Sequence, residues 1–179
     1  MNADDVAKQI ASCFDEDDLP YGIGGALALG TWGVPRATKD VDLTVFVDEH
    51  ELPRVLESLE RSGVMLDRSS AASNVARIGM FKGRLGHIDV DVFMMGHPQY
   101  DAMRTRVRTV AGVRYISPED LAIHKLLFGR LKDIADLERL FAVRDLDLTY
   151  VRGWLVQMVP TGDRRLEILD DLERRFATR

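Results

Sequence analysis

The chain has 179 residues, 46% apolar and 30% charged, an ordinary balance for a folded protein that excludes wholesale disorder. Lys and Arg number 24 against 29 Asp and Glu, a net charge of −5, so the whole molecule is no generic nucleic-acid binder, although a local basic groove is compatible with that sum. The single cysteine, Cys13, excludes an intramolecular disulfide and a thiolate zinc cluster.

Length predicts one compact unit. The first residues are acidic and lack the basic-then-apolar order of a secretory signal. The longest uncharged stretch, Leu19 to Pro35, holds five glycines and two prolines, which suits a turn and helix rather than a bilayer span. A cytoplasmic location away from membranes is the expectation.

From Asp4 to Phe14, Val6, Ile10 and Phe14 form the apolar stripe of a helix. Asp15 to Asp18 reads as an acidic turn, a solvated loop or a cation site. Tyr21 to Ile23 suits a short strand running into Gly24-Gly25, after which Ala26 to Leu29 starts a helix. Asp40 to Val47 alternates: Val41, Leu43, Val45 and Val47 face one way, Asp40, Asp42, Thr44 and Phe46 the other. Glu49 to Ser62 is helical, with Gly63 as its C-terminal cap. Strands are predicted over Ala76–Phe81 and His87–Met94, joined through residues 82–86, and again over 107–110 and 113–116. Ser117-Pro118-Glu119-Asp120 is a helix start, with a capping serine, a first-turn proline and acids favoured by the helix dipole. That helix ends near Gly129; a second begins at Leu131 or Lys132, and helices over 150–158 and 164–176 follow. Mixed strands and helices first and helices last predict an α+β fold, a mixed β-sheet flanked by helices. Residues 1–116 would form the core and 117–179 a helical region packed on it.

The chemistry concentrates on carboxylates. Asp40 and Asp42 share one strand face, about 7 Å apart along it. Burying that face costs heavily unless a cation or protonation relieves the charge; the alternative is a strand whose polar face meets water. The run His87-Ile88-Asp89-Val90-Asp91 repeats the device, so a neighbouring strand could bring a third carboxylate to the same edge, and alternation does not decide between Asp89 and Asp91. Three acids beside a glycine turn suit one or two magnesium ions, which take oxygen ligands and clamp the oxygens of a phosphoryl displacement. Gly24-Gly25 opening a helix would present backbone N–H groups to phosphate. The turn is neither a Walker loop nor a Rossmann fingerprint.

Gly24-Gly25, then a short helix, then Arg36-Ala37-Thr38-Lys39-Asp40-Val41-Asp42-Leu43 resembles the signature of the DNA polymerase β-type nucleotidyltransferase superfamily. The Arg36 to Asp42 form is similar to its AbiEii-like bacterial branch, which includes toxins of toxin–antitoxin pairs. A second block, Ser117-Pro118-Glu119-Asp120 through Lys125 and Arg130 to Asp136, resembles the same branch. The likeness spans about Tyr21 to Phe141. It implies a nucleotidyltransferase-like fold and a magnesium-dependent transfer of NMP from an NTP to an acceptor hydroxyl. That acceptor would be an RNA or tRNA end or a protein side chain, with an antitoxin as a further partner. Carried over by position, Asp40, Asp42 and Asp91 match the metal-binding acids, with Asp91 assisting the attacking hydroxyl and Asp89 in reserve. Gly24 and Gly25 match the phosphate turn, Lys125 a lysine directed at the triphosphate, and Asp133 and Asp136 acids of the next helix. Arg36 and Thr38 complete the nucleotide-binding set. The alternatives are a binding module of the same fold without turnover, and transfer onto a small antibiotic-like molecule.

Other readings compete at single positions. Lys132 and Asp136 are spaced for a helix-face ion pair, and Asp133 for a helix cap. Arg36 binds phosphate or steadies the loop against Asp40. Arg104, Arg106 and Arg108 would share a face if extended, a stripe for a polyanion or a charged strand edge. Histidines 50, 87, 97 and 124 show no zinc spacing; His87 lies on the carboxylate face as a possible outer partner.

Overall fold

The computed structural model describes residues 1–94 and 96–176; the last three residues of the predicted helical region lie outside them. Helix α1 (Ala3–Glu16) opens on Asn2, whose side chain accepts from the Asp5 N–H while Asp5 reaches back to the Asn2 N–H, closing both ends of a capping box. Its stripe of Val6, Ile10 and Phe14 is buried as the spacing predicts. Strand β1 (Tyr21–Ile23), helix α2 (Gly25–Thr31), strand β2 (Asp40–Val45) and helix α3 (Leu52–Arg61, after a 3-10 turn) follow. Then come α4 (Arg68–Ile78), β3 (Met80–Leu85), β4 (Ile88–Phe93), α5 (Pro98–Arg106), β5 (Arg108–Val110) and β6 (Val113–Tyr115). Four helices end the described chain: α6 (Pro118–Phe128), α7 (Leu131–Val143), α8 (Leu148–Met158) and α9 (Arg164–Phe176).

The six strands form one mixed sheet in the order β3-β4-β2-β1-β6-β5. β2 runs antiparallel to β1 and parallel to β4, and β3 is antiparallel to β4. Val41, Leu43 and Val45 point into the core and are fully buried. α1 packs on β2, β6 and α3, whereas α6 packs on α2 and on the three helices that follow it. The fold is therefore α+β with a mixed sheet, as expected. Among the described residues no helix is long and apolar enough to cross a membrane.

Two helices were not anticipated, and each corrects a reading. Ala76 to Ile78 are the last turn of α4 rather than strand; α4 starts where the Asp67 carboxylate accepts from the Ser70 N–H at 2.6 Å and ends at Gly79 in the left-handed conformation. Only Ala71 and Val75 of α4 are buried, too thin an apolar stripe to announce a helix. β3 then takes in Lys82 to Leu85, leaving Gly86 and His87 as the whole turn, with His87 exposed. α5 starts at His97, whose Nδ1 accepts from the Gln99 N–H, with Pro98 in its first turn. Arg104 and Arg106 thus sit on a helix while Arg108 begins β5, and Arg106 is paired with Glu119 at 2.8 Å. The predicted arginine stripe does not form.

The acidic run is ion-paired, and Asp15 and Glu16 close α1, so that only Asp17 and Asp18 form the expected turn. Asp15 meets Arg114 at 3.1 Å, and Asp17 meets Arg61 at 2.7 Å. Trp32 is buried with its indole N–H donating to the Ile116 carbonyl at 3.0 Å, a packing role rather than a free stacking face.

Candidate active site

Register decides which acids meet. In the parallel pairing of β2 with β4, Asp42 lies beside Asp91 and Asp40 beside Asp89, while Thr44 lies beside Phe93. On the far side of β4, β3 sets Lys82 opposite Asp91, Arg84 opposite Asp89 and Met80 opposite Phe93. One sheet face therefore carries three rows: an outer acidic row of Asp40 and Asp89, a middle row of Asp42 and Asp91, and an inner row of Thr44, Phe93 and Met80.

The middle row closes against the diglycine turn. The Gly24 N–H donates to the Asp42 carbonyl at 2.7 Å, tying the turn to β2. Gly25 adopts φ +55°, and a Cβ there would fall 1.7 Å from Asp42 Oδ2. Only glycine fits, because both the backbone conformation and the space forbid a side chain. Asp42 is thus pressed between the turn and Asp91. Burial raises its carboxyl above the usual carboxylate range, and the neighbouring charges of Asp91 and Asp40 push it further the same way. Lys125 and Arg130 oppose the shift without cancelling it.

A cleft of about 80 Å³ lies over these rows. Gly24, Gly25, Arg36, Thr38, Asp40, Asp42, Asp91, Lys125 and Asp133 all line it; Asp89 does not, and is held instead by Arg84 at 2.7 Å. Sequence reasoning quoted Arg130 and Lys132 only within the second block and gave them no part in nucleotide binding, yet both line the cleft. Their position depends on how α7 is set against the sheet, and nothing local announces that. It missed Lys82 too, whose ammonium sits 2.7 Å from Asp91 Oδ1 while remaining mostly exposed.

Several residues have partners other than those expected. The Lys125 ammonium is buried, 2.7 Å from Asp136 Oδ2 and 3.6 Å from Asp133 Oδ1, so its charge is already engaged. Asp136 also accepts from Arg36 Nε at 3.3 Å; Arg36 holds α7 rather than Asp40, and the anticipated Lys132–Asp136 pair is replaced. Asp133 reaches back to the Arg130 N–H at 3.2 Å and accepts from Arg130 Nε at 2.6 Å. Burial works to raise the Asp133 carboxyl, but the Arg130 hydrogen bond and charge, with Lys125, bring it below the usual range. Thr38 Oγ1 accepts from the Asp40 N–H at 3.1 Å, fixing where β2 begins.

The donor set suits a hard divalent cation. Asp42 is a half-buried carboxylate whose charge its neighbours disfavour, and Asp91 offers oxygens beside it, a combination that a cation relieves. Among the described residues no three His, Cys, Asp or Glu side chains already converge as a metal cage; Asp91 is turned toward Lys82, a flexible and exposed partner.

No protein-family model matches the sequence, and no curated protein matches it. Solved structures do. The solution structure of the antibiotic-resistance factor ANT(2'')-Ia aligns with 99% of this chain and 95% of its own length, at TM-score 0.56 and 20% identity. The crystal structure of ANT(2'')-Ia in complex with adenylyl-2''-tobramycin covers 94% of this chain and 95% of its own, at TM-score 0.50 and 16% identity. An antigenic nucleotidyltransferase-like protein from Paracoccidioides brasiliensis covers 95% and 94%, at TM-score 0.50 and 19% identity. At such identities the likeness is one of architecture: the chain has the nucleotidyltransferase fold.

Proposed function

We propose that the protein is a magnesium-dependent nucleotidyltransferase that moves an NMP from an NTP to an acceptor hydroxyl. The observation that carries this reading is the juxtaposition of Asp42 and Asp91 in register, with Asp42 pressed on the Gly24-Gly25 turn. Asp40, Asp42 and Asp91 would hold one or two magnesium ions, whose charge, when bound, offsets that of the phosphates. Gly24 and Gly25 let the triphosphate approach the backbone closely, and Arg130 and Lys132 add positive charge at the cleft. Asp91 accepts the proton of the attacking hydroxyl as the acceptor oxygen bonds to the α-phosphorus and the bond to pyrophosphate breaks. Lys125 acts by holding Asp133 and Asp136, and through them α7, at the edge of the cleft.

The acceptor is the finer question. An RNA or tRNA end, a protein side chain, a toxin role and a neutralising partner follow from the AbiEii-like blocks. The arginine stripe that favoured a polyanion is absent, since Arg106 is spent on Glu119. A small-molecule acceptor is favoured by a roomy cavity of about 510 Å³ that shares Phe93, His124 and Phe128 with the cleft. The antibiotic-resistance factor ANT(2'')-Ia, solved in complex with adenylyl-2''-tobramycin, is in keeping with that reading.

The test is a pair of measurements. Calorimetric binding of ATP and GTP with and without magnesium comes first, then pyrophosphate release with an extract as the source of acceptor. Magnesium-dependent binding and release, with release reduced about 100-fold or more in Asp42→Asn, are expected. Tight NTP binding with no release in any extract would favour a nucleotide sensor instead. Release unchanged in Asp42→Asn would remove the proposal.

A further inference from the structure

The cavity beside the cleft is distinct in chemistry from the acidic rows. Met80, Phe93, Leu127 and Met158 supply apolar wall from β3, β4, α6 and α8, and Ile78 and Phe128 are half exposed at its edge. None of its described lining residues is Asp, Glu, Lys or Arg. The His124 imidazole, common to cavity and cleft, is pushed by burial down to about 4, so it is neutral at physiological pH. One polar group in the wall is unsatisfied: Gln99 is 1% exposed, and its Nε2 has no hydrogen-bond partner among the described residues. A buried donor left so costs about 1–3 kcal/mol, which an acceptor oxygen against that wall would recover once the amide turns toward it.

Placement gives the cavity its role. Phe93 follows Asp91 by two residues on the same face, about 7 Å along the strand, and its partner across β3 is Met80. The cavity therefore opens beyond Asp91, toward β3, whereas the diglycine turn lies toward β1 and β2. An NTP whose phosphates lie by the turn leaves the Asp91 side for the attacking hydroxyl. The cleft alone, at about 80 Å³, is below the 300–1,000 Å³ of ordinary ligand sites, whereas the cavity, at about 510 Å³, falls within it.

We infer that this cavity binds the acceptor, and that the acceptor is a neutral, largely apolar small molecule carrying a hydroxyl toward Asp91 and a carbonyl or ether oxygen toward Gln99. The inference rests on the transferase reading for its hydroxyl but not for the binding site itself. A polycationic aminoglycoside finds no carboxylate among the described residues of these walls and is disfavoured there against a neutral ligand.

The test uses Prodan, a neutral naphthalene ketone whose emission shifts to the blue in apolar surroundings, titrated against the full chain without magnesium or nucleotide. Saturable, blue-shifted binding is expected. Met158→Arg, which sets a charge at the edge, weakens it at least tenfold. Gln99→Leu, which removes the amide but keeps the volume, weakens it about three- to tenfold. Circular dichroism checks that both variants fold; should either fail, Leu127→Trp, which fills the space, replaces it with the same expected loss. No saturable binding to the wild type, equal affinity in the folded variants, or displacement of Prodan by tobramycin at comparable concentration would overturn the inference. The transferase reading falls separately, on the absence of magnesium-dependent NTP binding.

Discussion

Two groups of carboxylates stand side by side in this molecule, and they differ in how their charge is met. In the α6–α7 group, Asp133 and Asp136 are buried yet fully partnered: Lys125 bridges them, Arg36 reaches Asp136 and Arg130 reaches Asp133. In the sheet group, Asp42 faces Asp91 and Asp40 with the nearest cations too few or too far to keep its carboxyl in the ordinary range. Balanced charge of the first kind fixes a helix in place. Unbalanced charge of the second kind destabilises the free protein and is relieved by a proton or by an arriving cation. In the proposed transferase the sheet acids are the reactive group and the α7 acids their support.

The largest expected effect breaks the balanced group. Lys125→Met leaves two buried acids without their shared cation and should cost about 3–5 kcal/mol. That is a fall in Tm of about 6–20 °C at 2–4 °C per kcal/mol, measured by thermal unfolding. A fall of under 2 °C would mean that the pair is not buried as described.

The second separates stability from activity. Asp42→Asn keeps the shape but removes the disfavoured charge, so the variant should melt a few degrees higher than the wild type at pH 7–8 while losing transfer. The sign follows from linkage. A carboxyl raised above 3.8 binds its proton more tightly in the folded state, so wild-type stability falls as pH climbs from about 3.8 through the raised value. The gap between variant and wild type should therefore close as pH is lowered toward 4. Magnesium should raise the melting temperature of the wild type and not of the variant. A variant that melts lower at pH 8 would contradict the crowding of Asp42.

The smallest effect probes the edge of the unbalanced group. Lys82 and Asp91 form an exposed pair, worth about 0.2–1 kcal/mol. Lys82→Ala should leave folding nearly unchanged and, by freeing Asp91, tighten magnesium binding up to about fivefold in calorimetric titration. Weaker magnesium binding would show instead that Lys82 orients Asp91 for its task.

Much of the site was legible because it is written in local periodicity. The alternation of Asp40 to Val45 and of Ile88 to Phe93 determines which side chains share a face. The cap at Ser117 was likewise local, and its hydroxyl accepts from the Asp120 N–H as the motif implies. What was not legible is relational. Asp89 and Asp91 are equivalent in the pattern and are told apart only by the β2–β4 register. The Lys132–Asp136 spacing satisfies the rule for one helix, yet the packing of α6 on α7 gives Asp136 to Lys125. α4 and α5 escaped notice because they bury only two and three side chains, too few to announce a helical stripe.

The parallel pairing of β2 with β4 has a further consequence. Since β2 and β4 run in the same direction, they cannot be joined by a tight turn. The chain must first make an excursion through α3, α4 and β3 before Asp91 reaches Asp42. The acids consequently meet only through a non-local closure, Asp42 being brought beside Asp91 across that excursion, and such a closure costs more chain entropy than a hairpin. Capture of a divalent ion should then require this non-local pairing, so that a magnesium-sensitive signal followed during refolding would report the docking of β4 on β2 rather than the formation of any local helix or hairpin.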